Sequence, residues 1–242
     1  NVFEIFLQQT YQRVPAKILE EVKQEFLFNA GTDIHQRNHT FHLKLSKGVS
    51  KTWKDENGKQ HFQHFYPVNY EALDENDFLV VNQFTIEGRN RRRPDLIIFI
   101  NGLPIVLFEF KNLFDIDATV DNAFNQVQHY KAGISQLFDF NALVVVSDGG
   151  MVGHADDDTP HAVGSTLHGM WTATWAWFAP WKSINGRDVV ESSTGAMKTL
   201  IEGLFQPKRL LDYIRHFIAF EVVNEKIEKK GAQNRRVALL FA

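Results

Sequence analysis

The chain contains no cysteine among its 242 residues, which rules out a disulfide framework, thiolate zinc sites and cysteine nucleophiles together. No run approaches the roughly 18 uninterrupted apolar residues of a membrane span, and no charged-then-apolar leader opens the sequence. The simple expectation is a cytoplasmic globular protein. Gly-x-Ser-x-Gly is missing, which removes the usual serine-hydrolase elbow. A Gly-x-x-x-x-Gly-Lys-Ser/Thr phosphate loop is missing too: Ser50-Lys51-Thr52 lacks the glycine before its lysine, so ATP hydrolysis is not expected of this chain. Excess positive charge is absent as well. A net charge of -3 argues against nucleic-acid binding through overall charge.

What is present is 44% apolar composition, enough for one substantial core or a core with an appended unit. Ile18, Leu19, Val22, Phe26 and Leu27 fall at helical spacing within Pro15 to Phe28 and predict an amphipathic helix. Phe41 to Val49 is short and amphipathic, and Asp55-Glu56-Asn57-Gly58-Lys59 is a turn between two strands. Phe78 to Ile86 is β-branched and aromatic, hence a strand. From Ala118 to Ile134 the period changes to three and four, which predicts a helix on a sheet. The apolar run Ala142 to Ser147 that follows reads as a buried strand parallel to an earlier one. The expected class is α/β with a mixed sheet. Beyond Gly150 the texture shifts to a polar stretch and then to Trp171, Trp175, Trp177, Phe178 and Trp181. A helix from Pro207 to about Val222 and a charged linker from Glu225 to Arg236 complete the reading. The expected organisation is a core over 1–150, a Trp-rich extension over 151–206, and a helix and linker over 207–242. Both ends look cut from a longer protein.

The informative segment is Pro94-Asp95, an apolar strand, Asn101-Gly102, a second apolar strand, and Glu109-Phe110-Lys111. Charged groups set in core strands are costly unless paired or bound to a cation. Glu109 and Lys111, two apart on a strand, share a face. Asp95 joins them only if the register allows. A strict two-residue Asn101-Gly102 loop sets Asp95 opposite Phe108 and on the wrong face. A three-residue loop with Gly102 left-handed pairs Asp95 with Leu107 and leaves Glu109 one diagonal step away. An odd-length connection or a bulge is therefore predicted, and Pro104, with no N–H to donate, supports a break in the ladder. On the shared face Asp95, Glu109 and the Phe110 carbonyl offer the hard oxygen ligands that Mg²⁺ prefers, with Lys111 placed to orient water and stabilise a phosphoryl transition state.

Pro94-Asp95 … Glu109-x-Lys111 resembles the PD-(D/E)xK nuclease motif, and Gln126 … Tyr130 resembles the Gln-x-x-x-Tyr motif of its RecB-like members; the two are four apart on one helix face. The resemblance extends over about Tyr11 to Phe220. Asn76 to Phe84, Arg92-Arg93-Pro94-Asp95, Asn101-Gly102-Leu103-Pro104, Glu109-Phe110-Lys111-Asn112, Ala123 to Gln126, Asn141 to Leu143 and Ser147-Asp148-Gly149 read like the N-terminal region of the restriction (R) subunit of type I restriction-modification enzymes. This resemblance implies a PD-(D/E)xK fold and a Mg²⁺-dependent endonuclease, a type I site-specific deoxyribonuclease acting on double-stranded DNA. It implies Asp95, Glu109 and Lys111 as catalytic, with Gln126 and Tyr130 as accessory residues that position DNA or the lysine. It also implies methylation (M) and specificity (S) partner subunits in the bacterial cytoplasm, and an ATP-driven motor elsewhere in the full-length subunit. A RecB-like exonuclease domain, or a nuclease-fold DNA-binding module without activity, are the alternatives. Relatives carry a further acidic residue on the first helix. Glu20, Glu21 and Glu25 are the candidates here, each read as polar helix face.

Arg91, Arg92 and Arg93, directly upstream of Asp95, are candidate DNA contacts together with Arg89, and Lys44, Lys47, Lys51 and Lys54 form a second basic run. Arg37, His39 and His42 are read as structural. Asp156-Asp157-Asp158 with His154 and His161 lacks the spacing of a calcium loop and is read as a solvated insertion. The tryptophans are read as core or interface, not as base-stacking platforms.

Overall fold

The computed structural model describes residues 1–111, 119–148, 166–172, 177–190, 195–223 and 226–231. Three helices open the chain, α1 (Val2–Thr10), α2 (Ala16–Leu27) and α3 (Ile34–Lys47), followed by the hairpin β1 (Val49–Lys54) and β2 (Gln60–Phe65). Then come β3 (Phe78–Asn82), β4 (Leu96–Ile100), β5 (Leu103–Phe110), α4 (Val120–Gly133), α5 (Gln136–Phe140), β6 (Leu143–Ser147) and β7 (Thr166–Gly169). The chain continues through α6 (Ala196–Leu204), α7 (Pro207–His216), β8 (Ile218–Val223) and β9 (Lys226–Gly231). The main sheet runs β3-β4-β5-β6-β7. Among the described strands only β5 and β6 pair in parallel, because α4 carries the chain back across one face between them. This mixed sheet flanked by helices is the architecture of a PD-(D/E)xK-like nuclease.

Both sheet faces are buried under helices, which is why β6 is apolar at every position but its last. Val145, Leu143 and Phe108 face a core shared with α1, α2, α3, α6 and α7. Ile97, Leu107, Val144 and Val146 face a second core built on α4 and α5 with Trp171 and Phe178. Trp171 and Trp181 are accordingly core residues and Trp177 is exposed. Among the described residues, no helix is long and apolar enough to cross a membrane.

The β4–β5 hairpin decides where the charged residues go. Its loop is the strict two-residue Asn101-Gly102 turn, with Ile100 paired to Leu103 and both turn residues left-handed at φ 52° and 79°, the conformation that matches strand twist. The three-residue loop is thus corrected. The odd residue enters one step later: Phe99 pairs with Pro104 but Ile98 pairs with Val106, so Ile105 is a bulge. The bulge follows Pro104 directly, and Ile105 and Val106 both pack into the first core. Beyond the bulge Ile97 pairs with Leu107 and Leu96 with Phe108. Continued one step, the register sets Asp95 opposite Glu109, not Leu107, and on the α4 face.

Asn101 locks this turn from inside the protein. Its side chain donates to the Pro67 carbonyl at 3.0 Å and to Asn76 Oδ1 at 2.9 Å, and accepts from the Asp77 N–H at 2.8 Å. Asn101→Ala is expected to cost about 4 kcal/mol, from about 1 kcal/mol for a left-handed alanine plus three hydrogen bonds of a buried side chain worth about 1 kcal/mol each. Urea denaturation would measure it, and a loss below about 1 kcal/mol would show that the turn is not so held.

Several sequence expectations are corrected. The helix expected to reach Val222 stops at His216 and the chain turns into β8; the expected linker contains β9, paired with β8. Phe41 to Val49 belongs mostly to the longer α3. The strand expected to reach Ile86 ends at Asn82, because Gln83 is left-handed at φ 50°.

Candidate active site

The strands β5 and β6 run in parallel and end at the same edge of the sheet. Lys111 N–H donates to the Ser147 carbonyl at 2.7 Å, extending the ladder one residue past β5 and fixing the backbone under the lysine. Along β5 the peptide groups alternate in direction, so Phe110 turns its N–H and carbonyl toward β4. Its N–H is taken by Asp95 Oδ2 at 2.8 Å. The ladder partner of Phe110 would be Pro94, which has no N–H to offer the Phe110 carbonyl. The Pro-Asp dipeptide therefore anchors a carboxylate at the strand end and leaves a carbonyl without a donor from β4.

Glu109 is 3% exposed, although a carboxylate is among the groups least often buried. Tyr130 of α4 donates its hydroxyl to Glu109 Oε2 at 3.0 Å, and Lys111 Nζ lies 3.3 Å from Oε1. Each oxygen thus has one partner and the carboxylate plane is set. Gln126, one helical turn before Tyr130, lies near enough to the tyrosine hydroxyl to draw its pKa down. Burial and the Glu109 carboxylate hold the Tyr130 hydroxyl above the usual tyrosine range, so it remains a donor. The structure brings together Asp95, Glu109, Lys111, Tyr130 and Gln126. Of the accessory pair, Tyr130 contacts Glu109 directly.

Burial, and after it the neighbouring Asp95 charge, push Glu109 up to about 7, against the opposing pull of Tyr130 and Lys111. A carboxyl with a raised folded-state pKa gives stability that is full below its unfolded value of about 4.5 and is lost as pH rises through about 7. Metal-free protein is therefore expected to lose on the order of 2–3 kcal/mol between about pH 4.5 and pH 8 through this group. Glu109→Gln should flatten that part of the profile and be the more stable form at pH 8. Parallel pH dependence of the two proteins in chelator would exclude the shift.

Two carboxylates with nearby protein carbonyls suit a hard divalent cation, and their mutual repulsion is what such an ion would relieve. Among the described residues no three of His, Asp or Glu gather as a larger metal cluster. Glu20 pairs with Lys23 and Glu25 with Lys51, and neither joins the site. The basic run is partly structural too, since Lys44 donates to the Glu25 and Phe28 carbonyls at the end of α2. Arg37 pairs with Asp139 at 2.9 Å, and His39 and His42 pack against Phe220. Of the upstream arginines, Arg91 is paired to Glu87 at 3.2 Å, Arg92 is packed against Gly133, and Arg93 is exposed. The Asp156-Asp157-Asp158 stretch with its histidines lies outside the described residues.

The geometry coincides with a family match. A family model described as the type I restriction enzyme R protein N terminus covers residues 1–159. The chain belongs to this family. The HindI endonuclease subunit of Haemophilus influenzae is 35% identical over 209 residues, covering 84% of this chain and 18% of that protein. The MjaIXP endonuclease subunit of Methanocaldococcus jannaschii, described as putative, is 31% identical over 207 residues, covering 77% of this chain and 18% of that protein. A Staphylococcus aureus relative, the SauCOLORF180P endonuclease subunit, is 40% identical over 75 residues, covering 31% of this chain and 8% of that protein. This R-protein N-terminal chain spans 18% of the length of the first two relatives. Asp95, Glu109, Lys111, Gln126 and Tyr130 all lie within the matched residues.

Proposed function

We propose that this chain is the endonuclease domain of a type I restriction enzyme R subunit and hydrolyses phosphodiester bonds of double-stranded DNA with Mg²⁺. The observation that carries the reading is the meeting of Asp95, Glu109 and Lys111 at one edge of the sheet, with Glu109 buried and held by two donors. Asp95, Glu109 and the Phe110 carbonyl would hold the ion. The chemistry Mg²⁺ supplies when bound is polarisation of the scissile phosphate and acidification of water. Lys111 presents an ammonium at the half-exposed rim, where it orients the attacking water and stabilises charge developing on the phosphoryl oxygens. Tyr130 keeps Glu109 oriented and Gln126 keeps Tyr130, so the carboxylate is positioned before ligand arrives. Translocation driven by ATP belongs, in this reading, to the rest of a longer subunit, acting with methylation and specificity subunits in the bacterial cytoplasm.

The test is cleavage of closed circular duplex DNA, by this chain and by a full-length subunit assembled with its partner subunits. Cleavage that requires Mg²⁺ or Mn²⁺ and is lost in Asp95→Asn and Glu109→Gln is expected. Activity only on linear ends would favour the exonuclease alternative. Calorimetry that finds no divalent-ion binding sensitive to Asp95→Ala would indicate an inert nuclease-fold module.

A further inference from the structure

Residues 83–93, which lead from β3 toward β4, carry Arg89, Arg91, Arg92 and Arg93 against a single carboxylate, Glu87, in a chain of net charge -3. It is not a free loop. Ile86 and Arg92 form an antiparallel bridge with reciprocal backbone bonds of 2.8 and 3.0 Å. The tip is fastened to the end of α4 and the start of α5: Asn90 N–H donates to the Gly133 carbonyl at 3.1 Å, and Gln136 Nε2 donates to the Glu87 carbonyl at 2.7 Å. Two glycines make the approach possible. A Cβ on Gly88 would stand 2.5 Å from the Gly133 carbonyl oxygen, and one on Gly133 would stand 3.2 Å from Arg92 Nε. Arg92 lies over the carboxyl end of α4, where the helix dipole favours a cation, and its Nε is buried without a hydrogen-bond partner among the described residues.

The arginines therefore divide. Arg92 is a peg half-buried against Gly133, with its Nε enclosed. Arg91 is exposed but shared with Glu87. Arg89 and Arg93 are exposed and have no carboxylate partner among the described residues. Arg93 precedes Pro94-Asp95 directly, the Gln83 N–H donates to the Asp95 carbonyl at 2.8 Å, and α4, on which the tip rests, carries Tyr130.

Building on the proposed nuclease function, we propose that residues 83–93 form a docked phosphate clamp. Arg89 and Arg93 grip the sugar-phosphate backbone of the duplex beside the scissile bond, and the Gly88–Gly133 contact and the Arg92 peg hold them at a fixed distance from Asp95 and Glu109. Guanidinium groups on a rigid support suit this task, because phosphate contacts set the register of a duplex without reading its sequence.

The test is fluorescence anisotropy of this chain with a labelled random-sequence duplex, titrated across salt concentrations. Removing one arginine–phosphate interaction lowers the slope of log K against log salt by about 0.9. Arg89→Ala and Arg93→Ala are each expected to weaken binding and reduce the slope by about one, and Arg89→Lys to keep most of it. Gly88→Ala retains every arginine yet displaces the tip, and is expected to lower the slope with thermal unfolding still cooperative. Glu87→Gln should tighten binding by releasing Arg91. Unchanged slopes in Arg89→Ala and Arg93→Ala overturn the clamp, and an unchanged slope in a folded Gly88→Ala overturns the role of docking. In both cases the nuclease reading survives. A chain that shows no salt-dependent duplex binding overturns the clamp and that reading together.

Discussion

Lys111→Ala is expected to reduce Mg²⁺-dependent DNA cleavage by about 10³-fold while leaving the fold and most of the divalent-ion affinity intact. The ammonium is held by its backbone bond to Ser147 and lies 3.3 Å from Glu109 Oε1, with a quarter of its side chain exposed. It is close enough to the carboxylates to be part of their charge balance, and open enough to meet a phosphate. Loss of one preorganised group that stabilises developing charge costs about 10²–10³ in rate, and loss of water orientation adds to that. The ligands for the ion remain, so calorimetric binding should persist. Without the ammonium that opposes it, Glu109 should titrate still higher than in the parent protein. Lys111→Arg should not restore activity, since the planar fork differs in reach and geometry from a point charge. Cleavage at the parental rate by Lys111→Ala in the assembled enzyme would remove the lysine from the chemistry.

The second large effect concerns stability, away from the site. Asn38→Ala is expected to cost about 3–4 kcal/mol and to lower the melting temperature by about 10 °C for a chain of this size. Asn38 is 1% exposed. Its Nδ2 donates to the Phe138 and Asn141 carbonyls at 2.7 and 2.8 Å, and its Oδ1 accepts from Lys229 Nζ at 3.1 Å. Lys229 is also 1% exposed; its other acceptor is the Asn141 carbonyl at 2.7 Å, and burial holds its amine well below the ordinary lysine range. Removing the Asn38 side chain leaves the Phe138 carbonyl and that amine each short of a partner, and loosens the join between α3, α5 and β9. Arg91→Ala, at an exposed ion pair, should change stability by less than about 0.5 kcal/mol. A loss below about 1 kcal/mol for Asn38→Ala would show that water takes over these hydrogen bonds.

The same residues explain why some elements could not be read from the sequence. In α3 the inward positions are Asn38, Phe41, His42 and Leu45, spaced as in any amphipathic helix. Two of the four are polar, so a search for apolar periodicity finds only the second half. In β9 the buried position belongs to Lys229, and the segment looks like a charged linker until β8 and α3 are set around it. The left-handed Gln83 carries no signal in its residue type, because glutamine rarely adopts that conformation. By contrast α2, α4 and β6 announce themselves, since each buries an uninterrupted stripe or run of apolar side chains.

Sequence alone determined the residue types of the candidate centre and the helix face that supports it. Pro94-Asp95, Glu109-x-Lys111 and Gln126 with Tyr130 follow from strand and helix periods, and the absence of a phosphate loop follows from counting. It also required that one odd residue enter the hairpin, because two carboxylates on a period-two strand meet only in one register. Where that residue sits was a tertiary decision. Asn101 is held in a tight turn by Pro67, Asn76 and Asp77, so the turn could not lengthen. The slip moved to Ile105, the residue after Pro104. The end of α4 likewise decided which arginine packs, since Arg92 lies against Gly133 there.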